Sequence, residues 1–580
     1  MHEGAVMSCA NTKEVNYLKK TKWITFGIAT ILVILYAFTT SVNFNPLYPD
    51  SAFFYCVVIS VYFALWLIFH FGTLTFGKKA ESGAAFNYVP NGGKFPKKML
   101  LIVAIPWIVY FLVMIGSSVI FNSGAYRDQL GEPKVMEFSD DVQPVDVSQL
   151  PIVDKDLASK LADKKLGERP SLGSQAVLGE PTIQKVNGKL VWAVPLHHSG
   201  FFKWLTNMGG TPGYIVVSAT NVNDVQYVDE HYIKYQPDSY FFDDLLRHVR
   251  FTNAPLSGIT DYSFEIDDDG NPYWVMTTYH NTWGFNLPEA TGIILVNATT
   301  GEAKQYAIDE IPEWVDRVQP EDFIINQIDN QGEYVHGIFN FANKDKFTSS
   351  DGHIIIYNDD RCYLFTGLTS VGSDESSIGF MMVDMVTKEV HKYALPGATE
   401  ESAMRSAEGK VQHLNYQASF PIILNMDGKP TYFMPLKDNA GLIKQYAFVS
   451  VTDYSIVGVG ETQAAAAKNY EQTLRGAGIT NDLPADGENK NVTGTVERIG
   501  QEFDGELLSY KIILKEHPQS LFVVPSDLSQ ELALTQPGDT VEIEYADSAS
   551  GIQQATAFDN RMFDQKQDTG TPQETPSASE

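Results

Sequence analysis

The sequence predicts three N-terminal transmembrane helices, then an α+β ectodomain of tandem antiparallel sheet-plus-helix repeats, then a small all-β barrel. Three observations lead there. Three apolar stretches, 23–42, 52–76 and 99–121, precede a long polar region. A pattern with two anchors recurs about four times between residues 185 and 460. After residue 491 the chain changes to short alternating apolar runs separated by turns. The 580 residues exceed what one core accommodates, so several domains are expected. The boundaries read as a cytoplasmic stub 1–22, an anchor 23–121, a linker 122–179, four repeats 180–476, a linker 477–490, a barrel 491–560 and a disordered tail 561–580.

Each apolar stretch is near or above the roughly 20 residues that cross a bilayer as a helix. The first is too long for a signal peptide, and no small-residue cleavage site follows before Asn43, Phe44, Asn45 and Pro46. Pro106 falls inside the third, where neighbouring helices can satisfy the freed carbonyl. Lys13, Lys19, Lys20 and Lys22 precede the first stretch, and Lys78, Lys79, Lys94, Lys97 and Lys98 lie between the second and third. The loop 43–51 has no basic residue. The positive-inside rule puts the N-terminus and the lysine-rich loop in the cytoplasm, so three crossings leave the C-terminal mass outside. No acidic or basic residue lies deep in any stretch, and the three read as an anchor without a proton or ion pathway. His70 and Cys56 in the second stretch read as facing the interface or a neighbouring helix. Segment 122–179 has no long periodicity apart from a helix-like run at 154–165, and reads as a linker lifting the folded mass off the membrane.

The repeats are anchored first on a glycine. Gly213 to Ser218, Gly292 to Asn297 and Gly379 to Asp384 each run glycine, three residues, valine, polar, with Tyr227, Tyr306 and Tyr393 nine residues after the last of these. In the fourth copy Gln445 replaces the glycine, Val449 and Ser450 keep their places, and Val459 stands for the tyrosine. Upstream lies a turn followed by an aromatic: Asn187-Gly188 with Trp192, Asp269-Gly270 with Trp274, Asp427-Gly428 with Tyr432. The third copy keeps only Asp359, Asp360, Arg361, Cys362 and Tyr363. Asn-Gly and Asp-Gly supply the positive φ of a tight hairpin, and the flanking aromatic and β-branched residues suit a half-buried sheet. Helix-like stretches at 237–250, 312–327, 398–408 and 462–475 alternate with these strands. Two anchors in a shared order, recurring at intervals of roughly 65 to 90 residues, indicate a duplicated module.

A turn Asp-Gly-Lys-x-x-Tyr, a strand, then Val-Asp-x-x-Thr-Gly-Glu-Val resembles the PepSY domain. The second copy carries the likeness through Asp269, Gly270, Val296, Asn297, Thr300, Gly301 and Glu302. The third carries it through Val383, Asp384, Thr387, Glu389 and Val390, whereas the first and fourth lack the Thr-Gly-Glu element. The resemblance covers at most half the chain. It implies small extracytoplasmic modules of a helix packed on an antiparallel sheet, and a role in restraining or sensing secreted peptidases or the envelope. Further on, Gly494, Val496, Ile499, Tyr510, Ile512, Leu514, Val524, the turn Pro537-Gly538-Asp539, Val541 and Ile543 mark short strands that resemble an OB fold in outline.

Composition narrows the partners. A net charge of -29 excludes nucleic acid, whose binding depends on clustered Lys and Arg. Three cysteines, Cys9, Cys56 and Cys362, form no disulfide framework, in keeping with a bacterial envelope protein. Four groups invite a chemical reading. His197 and His198 have no further ligand at metal spacing and read as surface residues on a hairpin loop. Glu265, Asp267 and Asp269 before Gly270 imitate half a calcium loop, but Met276 stands where its glutamate belongs, so a charged turn is expected. Asp238 and Ser239 read as the cap of a helix packing on its sheet. Phe201, Phe202, Lys203 and Trp204 are either core or a contact patch for lipid or partner. No phosphate loop, zinc helix or nucleophile elbow occurs. No catalytic, cofactor-binding or metal residue is assigned, and no cofactor is expected. The expectation is a multi-pass, non-catalytic binding or scaffold protein of the bacterial envelope with envelope or secreted protein partners. The alternatives are an envelope hydrolase with dispersed carboxylates or a regulator of secreted peptidases. A sensor would need a cytoplasmic output domain larger than the N-terminal stub.

Overall fold

The computed structural model describes residues 3–76, 86–90, 98–142, 150–358, 361–371, 377–426, 428–476, 489–504, 507–526, 528–546 and 552–564. Outside them lie Lys78, Lys79, Lys94 and Lys97, the turn residues Asp359, Asp360 and Asp427, most of the second linker and the tail beyond 564. The chain divides into two compact units, Met1–Ala466 and Ala467–Glu580.

In the first unit, Thr21–Thr39 and Pro49–Phe71 are long and apolar enough to cross a membrane. Leu100–Gly116 and Val119–Asp128 meet that criterion only as a pair, across a bend of 52°. The bend falls where Ser118 turns extended at ψ 157°. Large apolar side chains such as Ile31 and Leu112 point outward along these helices, the pattern of segments whose solvent is lipid.

Four antiparallel sheets follow, each built on the same plan of short inner strand, long hairpin and outer strand. The hairpin arms of the four repeats are Lys189–His198 with Thr211–Ser218, Pro272–Trp283 with Asn286–Asn297, Arg361–Ser370 with Ser377–Asp384, and Lys429–Lys437 with Ile443–Ser450. The first aromatic anchors sit opposite the motif valines: Trp192 faces Val217, Trp274 faces Val296 and Tyr432 faces Val449. In the third repeat Leu364 takes that position opposite Val383, and Tyr363 is displaced by one residue onto the other face.

The glycine anchor has a steric cause. A β-bulge precedes it in the second and third repeats, and there the outer strand presses its carbonyl against the hairpin. A Cβ on Gly292 (φ 150°) would collide with the Tyr306 carbonyl oxygen, and one on Gly379 (φ 148°) with that of Tyr393. In these two repeats glycine and tyrosine occur together because one backbone lies on the other, whereas Gly213 of the first repeat meets the Val228 carbonyl, one residue past Tyr227. In the fourth repeat the outer strand Val457–Gly460 ends opposite Tyr446, so no outer-strand residue is paired with Gln445. The polar residue after the valine closes the next turn: Asn297 Oδ1 accepts from Thr299 and Thr300 N–H, Asp384 Oδ1 from Val386 and Thr387, and Ser450 Oγ from Asp453.

A helix precedes each sheet: Lys155–Gly167, Leu245–Thr252, Glu321–Glu333 and Glu400–Lys410. Leu245 and Val249 share a core with Tyr214 of the first sheet and Trp274 of the second. Phe323 touches Tyr279 of the second sheet, while Ile324 and Ile328 join the core under the third. Ala403 and Ala407 lie in a core made by the third and fourth sheets. The first helix returns to the fourth sheet through an Asp154–Lys437 ion pair and Lys160 Nζ donating to Ala440 O at 3.0 Å, so the repeats close a circle.

Three expectations are corrected here. The segment read as a linker is built into the fold: Leu157, Ala158, Ala162 and Leu166 are buried, and Lys134–Met136 pairs in parallel with Val390–Tyr393. Its apolar positions are few and small, which hid the amphipathic face. The helix expected from Pro237 begins only at Leu245, capped by Asp244 Oδ1 accepting from Arg247 N at 2.7 Å, because Asp238 adopts a positive φ. The helix read at 312–327 likewise starts late, at Glu321, after Val315 and Val318 have packed beneath the second sheet.

The second unit contains strands Asn489–Asp504, Leu507–Leu514, His517–Pro525, Thr540–Ala546 and Ile552–Asn560, paired in a closed order first, second, third, fifth, fourth. The third and fifth are parallel, and Val496, Ile512, Phe522, Val541 and Ile543 fill the interior.

The steric role of the glycine is testable by denaturation of the purified chain. Gly292→Ala should cost about 2 kcal/mol or more, since both the positive φ and the Tyr306 carbonyl oppose a side chain. Gly209→Ala, where nothing lies within 4 Å of the added carbon, should change stability by about 0.5 kcal/mol or less.

Candidate functional site

The short inner strands of the repeats converge, and what they bring together is a carboxylate junction beside a cavity. Gln184 on the first inner strand, Thr182–Val186, bonds twice to Ile266 of the second repeat: its Nε2 donates to Ile266 O at 2.8 Å and its Oε1 accepts from Ile266 N at 2.9 Å. Next to this bridge Glu265 is fully buried. Its Oε1 accepts from Ser263 Oγ at 2.8 Å and its Oε2 from Asp316 N at 3.3 Å. Asp316 Oδ2 in turn accepts from Lys185 N at 2.9 Å and from the Tyr357 hydroxyl at 3.0 Å. Two acids thus tie together backbone and side chains of three repeats.

Burial governs the protonation of this group. Desolvation, reinforced by the nearby Asp316 charge, pushes Glu265 from an ordinary 4.5 up to about 8. Asp316 is raised by its own burial, although Lys185 N–H and Tyr357 bonds oppose the rise. Tyr357 and Cys362 are likewise driven up, first by burial and then by the acidic neighbours. Near neutral pH the junction holds at most one negative charge on Asp316, with Glu265 as a neutral acid.

The cavity has a volume of about 340 Å³. Its apolar wall comes from Trp192 of the first repeat, Ile354 and Ile356 of the third, and Ile423 and Phe433 of the fourth. The Trp192 indole is fixed by donating to Val153 O at 2.7 Å. Arg317, Glu321 and His353 form one polar corner. Glu321 pairs there with Arg317 and accepts from His353 Nε2 at 2.8 Å. Burial lowers the His353 pKa, Arg317 adds to the fall, and Asp322 opposes it, so the ring is neutral at neutral pH.

The residues singled out from the sequence are not brought together here. His197 and His198 end the strand Lys189–His198, paired with Ala176–Leu178. They are not on a hairpin loop, because the strand runs longer than its motif. His197 packs on Trp274 and its pKa falls to about 4 through burial. Asp267 Oδ1 accepts from the N–H groups of Asp269 and Asn271, closing a hairpin turn on itself. Trp204 is buried and donates to Asp243 Oδ2 at 2.8 Å, whereas its neighbour Phe202 is exposed. Among the described residues no group of three or more His, Cys, Asp or Glu is placed to hold a metal ion. Sequence reasoning missed Glu265 because it stood inside an apparent calcium turn, and missed Asp316 and Tyr357 because nothing local marks them. The one available signal was alternation: Glu265 occupies a position between Phe264 and Ile266 in an inner strand.

No family model and no curated protein matches the chain. Among solved structures the chain is similar to a levansucrase from B. megaterium at 9% identity, covering 71% of this chain and 96% of that one, with a TM-score of 0.17. It is also similar to an endo-1,4-beta-xylanase from Bacteroides thetaiotaomicron, at 12% identity, 49% and 76% coverage and a TM-score of 0.16. Likenesses of this size carry no argument about fold or chemistry.

The junction makes stability depend on pH. A carboxyl raised from 4.5 to about 8 on folding contributes fully below pH 4.5, and that contribution is lost as pH rises to about 8. Glu265→Gln, which keeps the shape of the neutral acid, should therefore remove part of the decline. Thermal midpoints at pH 5 and pH 8 should differ less in the variant than in the wild type, and parallel behaviour would mean that Glu265 ionises normally.

Proposed function

We propose that the chain is a multi-pass membrane protein of the bacterial cell envelope, whose three N-terminal crossings hold a non-catalytic, PepSY-like scaffold on the extracytoplasmic side for envelope or secreted protein partners. The observation that carries this reading is where the ectodomain meets the helices. Arg247 donates to the carbonyls of Phe38 and Thr39 at 2.8 and 3.1 Å, at the end of the first helix. Tyr48, just before the second helix, donates to Tyr279 O at 2.6 Å. Asn286 Nδ2 donates to Ser117 O at 3.0 Å, just after the helix Leu100–Gly116. The end of one helix, the start of the next and the end of a third all meet the second repeat. That parity fits three crossings, with Lys13, Lys19, Lys20 and Lys22 at the opposite end of the first.

Partner binding is supported by the sheet edges. The third sheet has its outer edge covered by Lys134–Met136, which adds in parallel to Val390–Tyr393. Among the described residues the outer strands Val225–Ile233 and Ala303–Ala307 pair on one side only, leaving the same backbone groups for an extended peptide. A helix before each four-stranded meander supports the PepSY-like reading, and the strand order of the C-terminal unit supports an OB-like one. The net charge of -29 argues against an oligonucleotide ligand for that unit. The enzymatic alternative lacks comparable support: Glu265 and Asp316 accept from backbone N–H groups and hydroxyls outside the cavity wall, and the carboxylates on that wall, Asp154 and Glu321, are paired with Lys437 and with Arg317 and His353.

Two measurements test the proposal. A membrane-impermeant maleimide on intact cells should label Glu401→Cys, and should reach Lys94→Cys only after permeabilisation; the reverse pattern overturns the topology. With that topology established, a benzophenone side chain at Gln305, on the open outer edge, should crosslink to an extracytoplasmic protein. No crosslink above that of a sample kept from light would overturn the partner-binding role.

A further inference from the structure

Among the described residues outside the apolar helices, phenylalanine side chains stand exposed in two places, and both adjoin the ends of those helices. The first place surrounds the short helix Phe201–Thr206 and the turn before Leu245. Phe202 is 78% exposed, and Phe241 and Phe242 are 58% and 53% exposed. The group is continuous with the first helix, since Phe242 meets Phe38 edge to face at 5.3 Å and Phe251 meets Phe38 at 5.7 Å. Trp204 underlies it, stacked on Phe241 at 5.6 Å and pinned by Asp243. The second place is the loop after Glu321–Glu333. Phe339 and Phe341 are 76% and 85% exposed and pack on each other at 6.1 Å. That loop lies against Val119–Asp128, where Tyr334 meets Tyr126 at 6.3 Å, and Ile120 and Phe121 are themselves exposed. Between the two places the hairpin tip Trp283 to Asn286 reaches the helices, with Phe285 on Tyr110 at 5.5 Å.

We propose that these two aromatic groups form an interfacial seat, with Phe202, Phe241 and Phe242 on one side and Phe339 and Phe341 on the other contacting phospholipid at the boundary of headgroup and acyl chain. This inference rests on the anchored reading above and adds to it that the ectodomain lies on the outer leaflet instead of standing away from it. Three physical points converge. Water-exposed clusters of phenylalanine mark an interaction surface, and single scattered aromatics do not. Phe38 is placed one residue before the C-terminal residue of the first apolar helix, so whatever touches Phe38 and Phe242 together is at the depth where that helix leaves the bilayer. The polar atoms needed at that depth are also present: Lys203 beside Phe202, able to extend toward headgroups, and Arg247 bound to the carbonyls of Phe38 and Thr39. A soluble partner would have to enter the bilayer interface to cover the same side chains.

The test places an environment-sensitive NBD label at Phe202→Cys and, separately, at Phe341→Cys, in a Cys9→Ser background in which Cys56 and Cys362 are buried. The full chain is reconstituted in phosphatidylcholine nanodiscs with and without lipids carrying a nitroxide near the headgroup and lipids carrying one along the acyl chain. Two reference sites complete the set: Ile31→Cys inside the first apolar helix, and Asp269→Cys on a turn beyond Pro272, at the end of the strand Pro272–Trp283 opposite the one that reaches the helices. The expected result is strong nitroxide quenching at 31, 202 and 341 and none at 269. Quenching at 31 alone, with 202 and 341 behaving like 269, overturns the seat while the anchor stands. Loss of quenching at 31 overturns the anchor and the seat together. Labels at 202 and 341 that are shielded from aqueous iodide yet untouched by nitroxide lipid, in a particle weighing as a dimer, assign the patches to a second copy and also overturn the proposal.

Discussion

The arrangement of the ectodomain depends on a buried hydrogen-bonded junction at which Glu265, Asp316, Tyr357 and the backbone of Lys185 meet. Apolar packing alone holds neighbouring sheets together in pairs, through cores shared by the first and second and by the third and fourth. Such cores are tolerant of sliding, because dispersion contacts have no direction. The junction is directional. Both oxygens of Glu265 and Oδ2 of Asp316 have fixed donors, and three repeats must be in register before these donors are in place. The Gln184 amide, satisfied on both its oxygen and nitrogen by Ile266, adds a second directional contact at the same seam. A buried polar network of this kind favours one arrangement at the cost of desolvating its members, and the raised pKa of Glu265 follows first from that desolvation and then from the Asp316 charge.

The repeat architecture was legible in the sequence because it rests on backbone geometry, and backbone geometry leaves a residue signature. Gly292 and Gly379 are glycine because a neighbouring carbonyl occupies the space of a side chain, and Gly188 and Gly270 because their turns need positive φ. The apolar helices were equally visible through length and composition. What could not be read is everything decided by a partner distant in sequence. Helix Lys155–Gly167 buries mostly alanine and leucine against strands that follow it by 20 or more residues, so its short amphipathic face passed for linker. The one-residue displacement that puts Leu364 in place of Tyr363 follows from pairing with Val383, and both residues suit a strand. Asp316 is 51 residues from Glu265 and 41 from Tyr357, and no local spacing announces that pair. The histidines were misplaced for a related reason: strand pairing with Ala176–Leu178 extends order past the point where the hairpin motif ends.

The same distinction separates the two roles of the second repeat. Its inner strand carries Glu265 into the junction, while the opposite ends of its long strands, at Tyr279, Trp283 and Asn286, meet Tyr48 and Ser117. One sheet therefore connects the centre of the ectodomain to the anchor over the length of the twelve-residue strands Pro272–Trp283 and Asn286–Asn297. These strands have neighbours on both sides from Pro272 to Tyr279 and from Gly292 to Val296, and beyond those points the two arms pair only with each other.

The position of the cavity follows from how the circle closes. The seams between the first and second repeats and between the third and fourth are filled by shared apolar cores, whereas polar contacts at the helix Lys155–Gly167 and its cap join the fourth repeat to the first: Asp154 with Lys437, and Lys160 with Ala440. Ion pairs and single hydrogen bonds at partly exposed positions hold less tightly than packed side chains. A circle of four unequal repeats cannot satisfy all four seams with the same packing once the junction has fixed the first three repeats. The cavity lies among the first, third and fourth repeats, lined by Trp192, Ile354, Ile356, Ile423 and Phe433, with Arg317, Glu321 and His353 at its polar corner. The junction and the cavity share one side chain, Tyr357, which lines the cavity and donates its hydroxyl to Asp316, so a change that displaces that ring alters both.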